Sequence, residues 1–166
     1  IRVESTPGKG TVFTFDLPVQ GENAATEPER EADCKAAGEE PALKTGRILL
    51  VDDETSLLEV IGDVLRLDGH LVESESNCVA ALRRLKQERF DVVVSDLKMP
   101  GMSGQELFAR LAEIDPSLVR RLVFTTGDLA NPETLKFLES AGNPYLQKPF
   151  DLNAVRRIVQ RLLAAA

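Results

Sequence analysis

The sequence describes an α/β protein with a parallel sheet sandwiched between helices. From Gly46 onward, short β-branched runs alternate with helical stretches: Arg47 to Val51, Leu71 to Ser74, Phe90 to Ser95, Arg121 to Thr125 and Tyr145 to Gln147 are the runs. Strands that alternate with helices build parallel sheets through βα crossovers. The third run carries Val92, Val93 and Val94 at consecutive positions, a pattern a strand tolerates when helices cover both faces of its sheet. Two helical stretches are especially clear. Leu57, Leu58, Ile61, Val64 and Leu65 share one face, as do Leu152, Val155, Ile158, Val159 and Leu162, both at the i, i+3/i+4, i+7 spacing. Five strands alternating with five helices are expected.

The residues before Gly46 have a different texture. Residues 1–18 place Ile1 and Val3, then Pro7-Gly8-Lys9-Gly10, then Val12, Phe13, Phe15 and Leu17, the alternation of a β-hairpin about a turn. Gly8-Lys9-Gly10-Thr11 lacks the spacing of a phosphate loop and precedes a strand rather than a helix, so a plain turn is expected there. Residues 19–45 lose periodicity and carry seven acids against three bases, which reads as a solvated acidic linker with fractional helix in its alanine-rich part. The domain organisation that follows is a hairpin at 1–18, a linker at 19–45 and a globular domain at 46–166.

Composition removes several function classes. The net charge of −7 and the absence of any basic stripe exclude a nucleic-acid partner held through phosphate contacts. Cys34 and Cys78 lie in unrelated stretches without metal-ligand spacing, so reduced thiols are expected rather than a disulfide or zinc site. No apolar run approaches the roughly 20 residues of a spanning helix, and the N-terminus resembles no secretory signal. The chain reads as a piece of a longer protein, without membrane contact of its own and located in the cytoplasm.

In an open parallel sheet, ligands sit beyond the carboxyl ends of the strands, so polar residues there are the functional candidates. Asp52, Asp53 and Glu54 follow the first run, Asp96 the third, Thr126 the fourth and Lys148 the fifth. Carboxylates of Asp52, Asp53 and Asp96 gathered at one rim repel one another, and a hard divalent cation, Mg²⁺, together with the Lys148 ammonium would offset that repulsion. A carboxylate beside such cations is placed to attack phosphorus, since phosphoryl transfer depends mainly on positioning and charge neutralisation. Thr126 adds a hydroxyl donor for the phosphoryl oxygens. Any one of these residues alone would read as a turn or cap; their joint placement at successive strand ends points to a site.

The stretches Leu50-Val51-Asp52-Asp53-Glu54, Val94-Ser95-Asp96-Leu97-Lys98-Met99-Pro100-Gly101-Met102-Ser103-Gly104, Thr126-Gly127 and Lys148-Pro149-Phe150 closely resemble the response-regulator receiver family, over about residues 46–165. The resemblance implies a flavodoxin-like, doubly wound (βα)5 three-layer sandwich with strand order 2-1-3-4-5. It implies that Asp96 is the phosphoacceptor, that Asp53, Asp96 and the backbone carbonyl of Lys98 ligate Mg²⁺, and that Asp52 assists through water. By the same resemblance Lys148 pairs with phosphoryl oxygens, Thr126 moves inward when Asp96 is modified, and Tyr145 changes rotamer with it. It further implies a cis bond before Pro149, a solvent-facing Lys98 side chain, and a path for the phosphodonor beside Gly127.

Val3-Glu4-Ser5-Thr6-Pro7-Gly8-Lys9-Gly10-Thr11-Val12-Phe13-Thr14-Phe15-Asp16-Leu17-Pro18 resembles the terminal hairpin of a histidine-kinase ATPase domain. That implies a hybrid sensor histidine kinase as the parent, one able to be membrane-anchored. The helix and lid that hold ATP in that domain have no counterpart here, so the chain should catalyse at most its own phosphorylation and dephosphorylation. His70, the single histidine, follows Gly69 between a helix and a strand and reads as a packing or surface residue. The phosphoryl group must then come from a phosphohistidine elsewhere, on a kinase core or a phosphotransfer protein; the family pattern also admits a homodimer.

Three rival readings compete with this one. An aspartate-nucleophile phosphatase would resemble Asp-x-Asp at its nucleophile, whereas Asp96-Leu97-Lys98 places lysine at the second position. A flavodoxin would need phosphate donors where Asp52-Asp53-Glu54 would repel the ligand. A receiver-shaped interaction module that is never phosphorylated is the remaining alternative.

Overall fold

The computed structural model describes residues 2–6, 10–14 and 44–165. The turn expected at Pro7-Gly8-Lys9, the hairpin's last residues, Cys34 and nearly all of the acidic linker lie outside the described residues. The chain divides into two units, within residues 1–38 and 39–166. In the first, β1 (Arg2–Thr6) pairs antiparallel with β2 (Gly10–Thr14), Arg2 opposite Thr14 and Thr6 opposite Gly10.

The second unit runs β3 (Arg47–Val51), α1 (Thr55–Leu67), β4 (Leu71–Glu75), α2 (Cys78–Gln87), β5 (Val92–Asp96), α3 (Gly104–Ile114), α4 (Pro116–Val119), β6 (Leu122–Thr126), α5 (Pro132–Ala141), β7 (Tyr145–Gln147) and α6 (Leu152–Ala164). All neighbouring strands are parallel, in the order β4-β3-β5-β6-β7. Counted within this sheet the order is 2-1-3-4-5, the doubly wound, flavodoxin-like arrangement.

Side chains alternate across each strand, so the sheet has two covered faces. Leu49, Val51, Val93, Leu122 and Phe124 face Ala81 and Leu85 of α2, Leu107 and Leu111 of α3, Leu118 of α4 and Leu138 of α5. Ile48, Leu50, Val92, Val94, Val123 and Leu146 face Leu58, Ile61 and Leu65 of α1 and Val155, Val159 and Leu163 of α6. This double cover explains the consecutive valines of β5, every residue of which is buried. Phe108, Phe124 and Phe137 form an aromatic triad with ring centroids 5.3 to 5.8 Å apart, the geometry that edge-to-face aromatic pairs favour. On the edge strand β4, Glu73 is engaged by Arg47 and Arg84, and the Arg47 guanidinium lies 4.8 Å from the centre of the Phe90 ring.

Two details differ from the sequence reading. A one-turn helix, α4, interrupts the connection from α3 to β6, started by the Asp115 carboxylate, which accepts from the Ser117 and Leu118 N–H groups, and by Pro116 at the first helical position. The third and fourth runs also begin and end one or two residues later than expected, so Asp96 and Thr126 are the last residues of β5 and β6 rather than the first residues beyond them. The bond between Lys148 and Pro149 is cis. Cys78 is buried, which pushes its thiol up to about 11 and keeps it protonated. Among the described residues no helix is long and apolar enough to cross a membrane.

The loop after β5 is fixed by glycines. Gly101 adopts φ +81°, a conformation open to glycine. Gly104 opens α3 directly against the end of β5, its N–H donating to Leu97 O at 3.0 Å. A Cβ on Gly104 would lie 2.3 Å from the Asp96 carbonyl oxygen and 2.9 Å from Leu97 Cα, backbone atoms that cannot rotate away. Gly104→Ala is therefore expected to lower unfolding free energy by about 1–3 kcal/mol. The check is the urea midpoint, which should fall at unchanged m; an unaltered midpoint would show that the loop relaxes freely.

Candidate functional site: an acidic pocket at the carboxyl edge of the sheet

β3 and β5 are neighbours with Val51 opposite Ser95, so the residues that follow in each strand emerge side by side. As a result Asp52, Asp53 and Asp96 each offer a carboxylate oxygen within 4.8 Å of the other two. Asp52 and Asp96 are buried, at 4% and 7% exposure, whereas Asp53 is open to solvent. Asp52 is further fixed by the Glu54 N–H, which donates to its Oδ1 at 3.0 Å, and by its own N–H donating to Glu75 O at 3.2 Å.

Lys148 enters from the far side of the sheet. Its backbone N–H donates to Thr126 O at 2.7 Å, which continues the β6–β7 ladder past the end of β7 and turns its side chain toward the acids. The ammonium donates to Asp52 Oδ2 at 2.6 Å and lies 3.3 Å from Asp96 Oδ2. Burial holds the Asp96 carboxyl above the usual carboxylate range; Lys148 opposes that shift and the charge of Asp52 adds to it. For Lys148, burial works against the charged form, but the hydrogen bond to Asp52 and the charges of Asp96 and Asp52 outweigh it and raise the ammonium above its ordinary value. The Lys148 ammonium thus faces two buried carboxylates, with Asp53 beside them.

Thr126 is almost wholly buried, at 1% exposure, and its Oγ1 accepts from the Asp128 N–H at 3.2 Å. The hydroxyl proton remains able to donate elsewhere. Lys98, in the loop after β5, has a side chain 57% exposed and ion-paired with Asp128, so it faces outward without being solitary. A Cβ on Gly127 would meet nothing within 4 Å, leaving the edge of the pocket beside Thr126 open. Tyr145, three residues before Lys148, is 43% exposed on the edge strand β7 and does not join the acidic cluster. Asp128 was passed over in the sequence. Its place two residues after a strand-end threonine, where a backbone N–H can reach the hydroxyl, was the available signal.

The donor set suits a hard divalent cation: oxygen ligands only, an excess of negative charge, and one solvent-facing carboxylate as an entry point. Softer ligands are missing from the cluster, which disfavours zinc or copper.

A doubly wound sheet with acids and a lysine at its carboxyl rim defines a class of phosphate-handling signalling module. Residues 48–160 match the model of the response regulator receiver domain, and the chain belongs to that family. It is 30% identical over 120 residues to the transcriptional regulatory protein GlrR of Escherichia coli K12, covering 72% of this chain but 27% of that protein's length. It is 29% identical over 165 residues to the sensor protein EvgS of the same organism, 98% of this chain and 13% of EvgS. Among solved structures, the receiver domain of the sensor histidine kinase PA1611 from Pseudomonas aeruginosa PAO1, which has magnesium in its active-site cleft, superposes with a TM-score of 0.64 at 26% identity, covering 73% of this chain and 99% of that one. Receiver domains as a family bind Mg²⁺ at such an acidic pocket.

The raised Asp96 pKa has a defined stability consequence. An acid whose pKa rises on folding holds its proton more tightly in the folded state, so folding is increasingly penalised as pH climbs from the unfolded value, about 3.9, through the folded one. In chelator at neutral pH, Asp96→Asn should therefore unfold at higher urea than wild type, and the gap should narrow as pH is lowered toward about 4. Equal midpoints at neutral pH would mean that the Asp96 carboxylate is not strained.

Proposed function

We propose that this chain accepts a phosphoryl group on Asp96 from a phosphohistidine of a kinase core or phosphotransfer protein and uses it to switch a protein-interaction surface. The observation that carries this reading is the convergence of the Asp52, Asp53 and Asp96 carboxylates at one rim, with the Lys148 ammonium set against Asp52 and Asp96. Asp52, Asp53, Asp96 and the Lys98 backbone carbonyl would hold Mg²⁺. When bound, the ion neutralises the equatorial phosphoryl oxygens. An Asp96 carboxylate oxygen forms the new bond to phosphorus while the bond from phosphorus to the histidine nitrogen breaks, leaving an imidazole that picks up a proton from solvent. Lys148 compensates charge on the phosphoryl oxygens, and the Thr126 hydroxyl donates to one of them.

That donation draws Thr126 inward, and Tyr145 follows, altering the surface formed by α5 and β7. The wider context belongs to the same proposal. The N-terminal hairpin is the end of a kinase ATPase domain, residues 19–45 are an acidic linker, and the parent is a hybrid sensor histidine kinase with a cytoplasmic receiver. The alignment with a sensor protein along nearly all of this chain supports that arrangement.

Incubation with Mg²⁺ and acetyl phosphate, followed by intact-mass measurement, should add one phosphoryl group to wild type and none to Asp96→Asn, and chelator should abolish the addition. Lys148→Met is expected to slow the reaction by about 10²-fold. Wild type that never gains mass would favour the unphosphorylated interaction module. Tyr145 is the only tyrosine and tryptophan is absent, so tyrosine fluorescence reports on one residue. Phosphorylation should change that signal in wild type and leave it flat in Thr126→Ala, which still gains the phosphoryl mass. A change of equal size in Thr126→Ala would remove Thr126 from the switch.

A further inference from the structure

The one histidine of the chain is used by nothing described so far, yet it is 4% exposed. His70 follows Gly69, whose φ of +87° lies in the left-handed region that favours glycine at the turn out of α1. It lies at the amino end of the strands, whereas the acidic pocket lies at the carboxyl end; the five residues of β3 separate the two by about 17 Å at ~3.4 Å per residue. Three elements meet on the ring. Gly46, from the segment that leads into β3, donates its N–H to Nδ1 at 3.2 Å. The side-chain amide of Gln160 on α6 stands 3.2 Å from Nε2. The turn after α1 supplies Asp68, whose carboxylate is paired with Arg156 of α6 and bears on the ring electrostatically.

A backbone N–H can only donate, so the Gly46 contact fixes a lone pair on Nδ1 and the ring proton on Nε2. Gln160 Nε2, which stands beside the ring's Nε2, also donates to Lys44 O at 3.3 Å, so α6 reaches both the imidazole and the incoming segment. Gly46 is held on its other side as well, its carbonyl accepting from the Leu71 N–H at 3.0 Å. The fit is close: a Cβ on Gly46 would lie 2.6 Å from Leu163 Cδ2 and 3.1 Å from Asp91 Oδ2.

We propose that His70 is a proton-sensitive latch that fastens the incoming segment Lys44–Gly46 to the receiver when neutral and releases it when protonated. Protonation places a hydrogen on Nδ1 directly against the Gly46 N–H, turning a hydrogen bond into two opposed donors in a buried site. The charged groups around the ring decide how far acidification must go. Burial disfavours the imidazolium, Asp68 favours it, and Asp68 is itself partly satisfied by Arg156. Lys44, on the released segment, ties its ammonium to Ala164 O at 3.3 Å, and Asp91 accepts from the Arg47 N–H at 2.7 Å, so neither charge is directed at the ring. The consequence is local: the attachment point of the receiver loosens in acid while the phosphoacceptor end of the same strands stays in place. The latch does not depend on the phosphoacceptor reading.

Amide exchange on the full chain tests this between pH 7.5 and the ring's own titration midpoint. After correction for intrinsic exchange, protection of the Gly46 amide should fall at least tenfold as the His70 ring titrates, while the Leu97 amide, which donates to Thr125 O at 2.9 Å in the site, stays protected. His70→Asn keeps an acceptor where Nδ1 sits and cannot titrate, so its Gly46 protection should be flat. Should that variant fail to fold, ring nitrogen shifts of wild type at pH 7.5 decide instead, with a bare Nδ1 expected. A Gly46 amide indifferent to the His70 titration, a proton on Nδ1 at neutral pH, or a full pH response in folded His70→Asn would each overturn the latch.

Discussion

The repulsion between carboxylates at the end of β3 and β5 is the constraint around which the rest of the receiver is organised. Two buried acids and one exposed acid share a rim with a single ammonium. Such a cluster is unfavourable for a fold on its own, because each buried carboxylate loses hydration and gains a like-charged neighbour. It persists because the sheet over-determines it. β3, β5 and β6 are buried along their whole apolar lengths, and the residues at their ends have nowhere else to go. Stability made in the core of the sandwich is thus converted into a pocket that is incomplete until positive charge enters it.

The loops around the pocket make that arrangement specific. Gly104 allows α3 to start against the Asp96 backbone, and a reciprocal Ser103–Glu106 capping box fixes the helix at that point. The Lys148 backbone extends the β6–β7 ladder by one bond, so its side chain reaches the acids from the opposite strand. Asp128 links the two sides of the rim, holding the Thr126 hydroxyl through its N–H and the Lys98 side chain through its carboxylate. Asp96 and Thr126 are therefore joined by short, mostly backbone connections.

Much of this was legible in the residues. Consecutive valines at 92–94 announced a doubly covered strand, and polar residues after successive apolar runs announced the rim, because both follow from the period of a strand and the geometry of parallel sheets. What was missed depends on contacts the chain makes only in three dimensions. The one-turn helix at Pro116–Val119 is too short to show a period, although Asp115-Pro116 carried a start signal. Asp128 looked like an ordinary loop acid until the fold set it opposite Lys98. His70 read as either a packing or a surface residue; the fold buries it, and its partners are 24 and 90 positions away in sequence, beyond the reach of any local pattern.

The claim on which the account rests is that the acidic pocket is a charge-frustrated site completed by a divalent cation. Calorimetric titration of Mg²⁺ tests it most directly, on wild type and on Asp52→Asn, Asp53→Asn and Asp96→Asn. Wild type should bind one ion and each substitution should weaken that binding by at least about tenfold, since every variant removes a ligand or a share of the charge. Wild type without measurable binding, or affinities unchanged across the three variants, would contradict it.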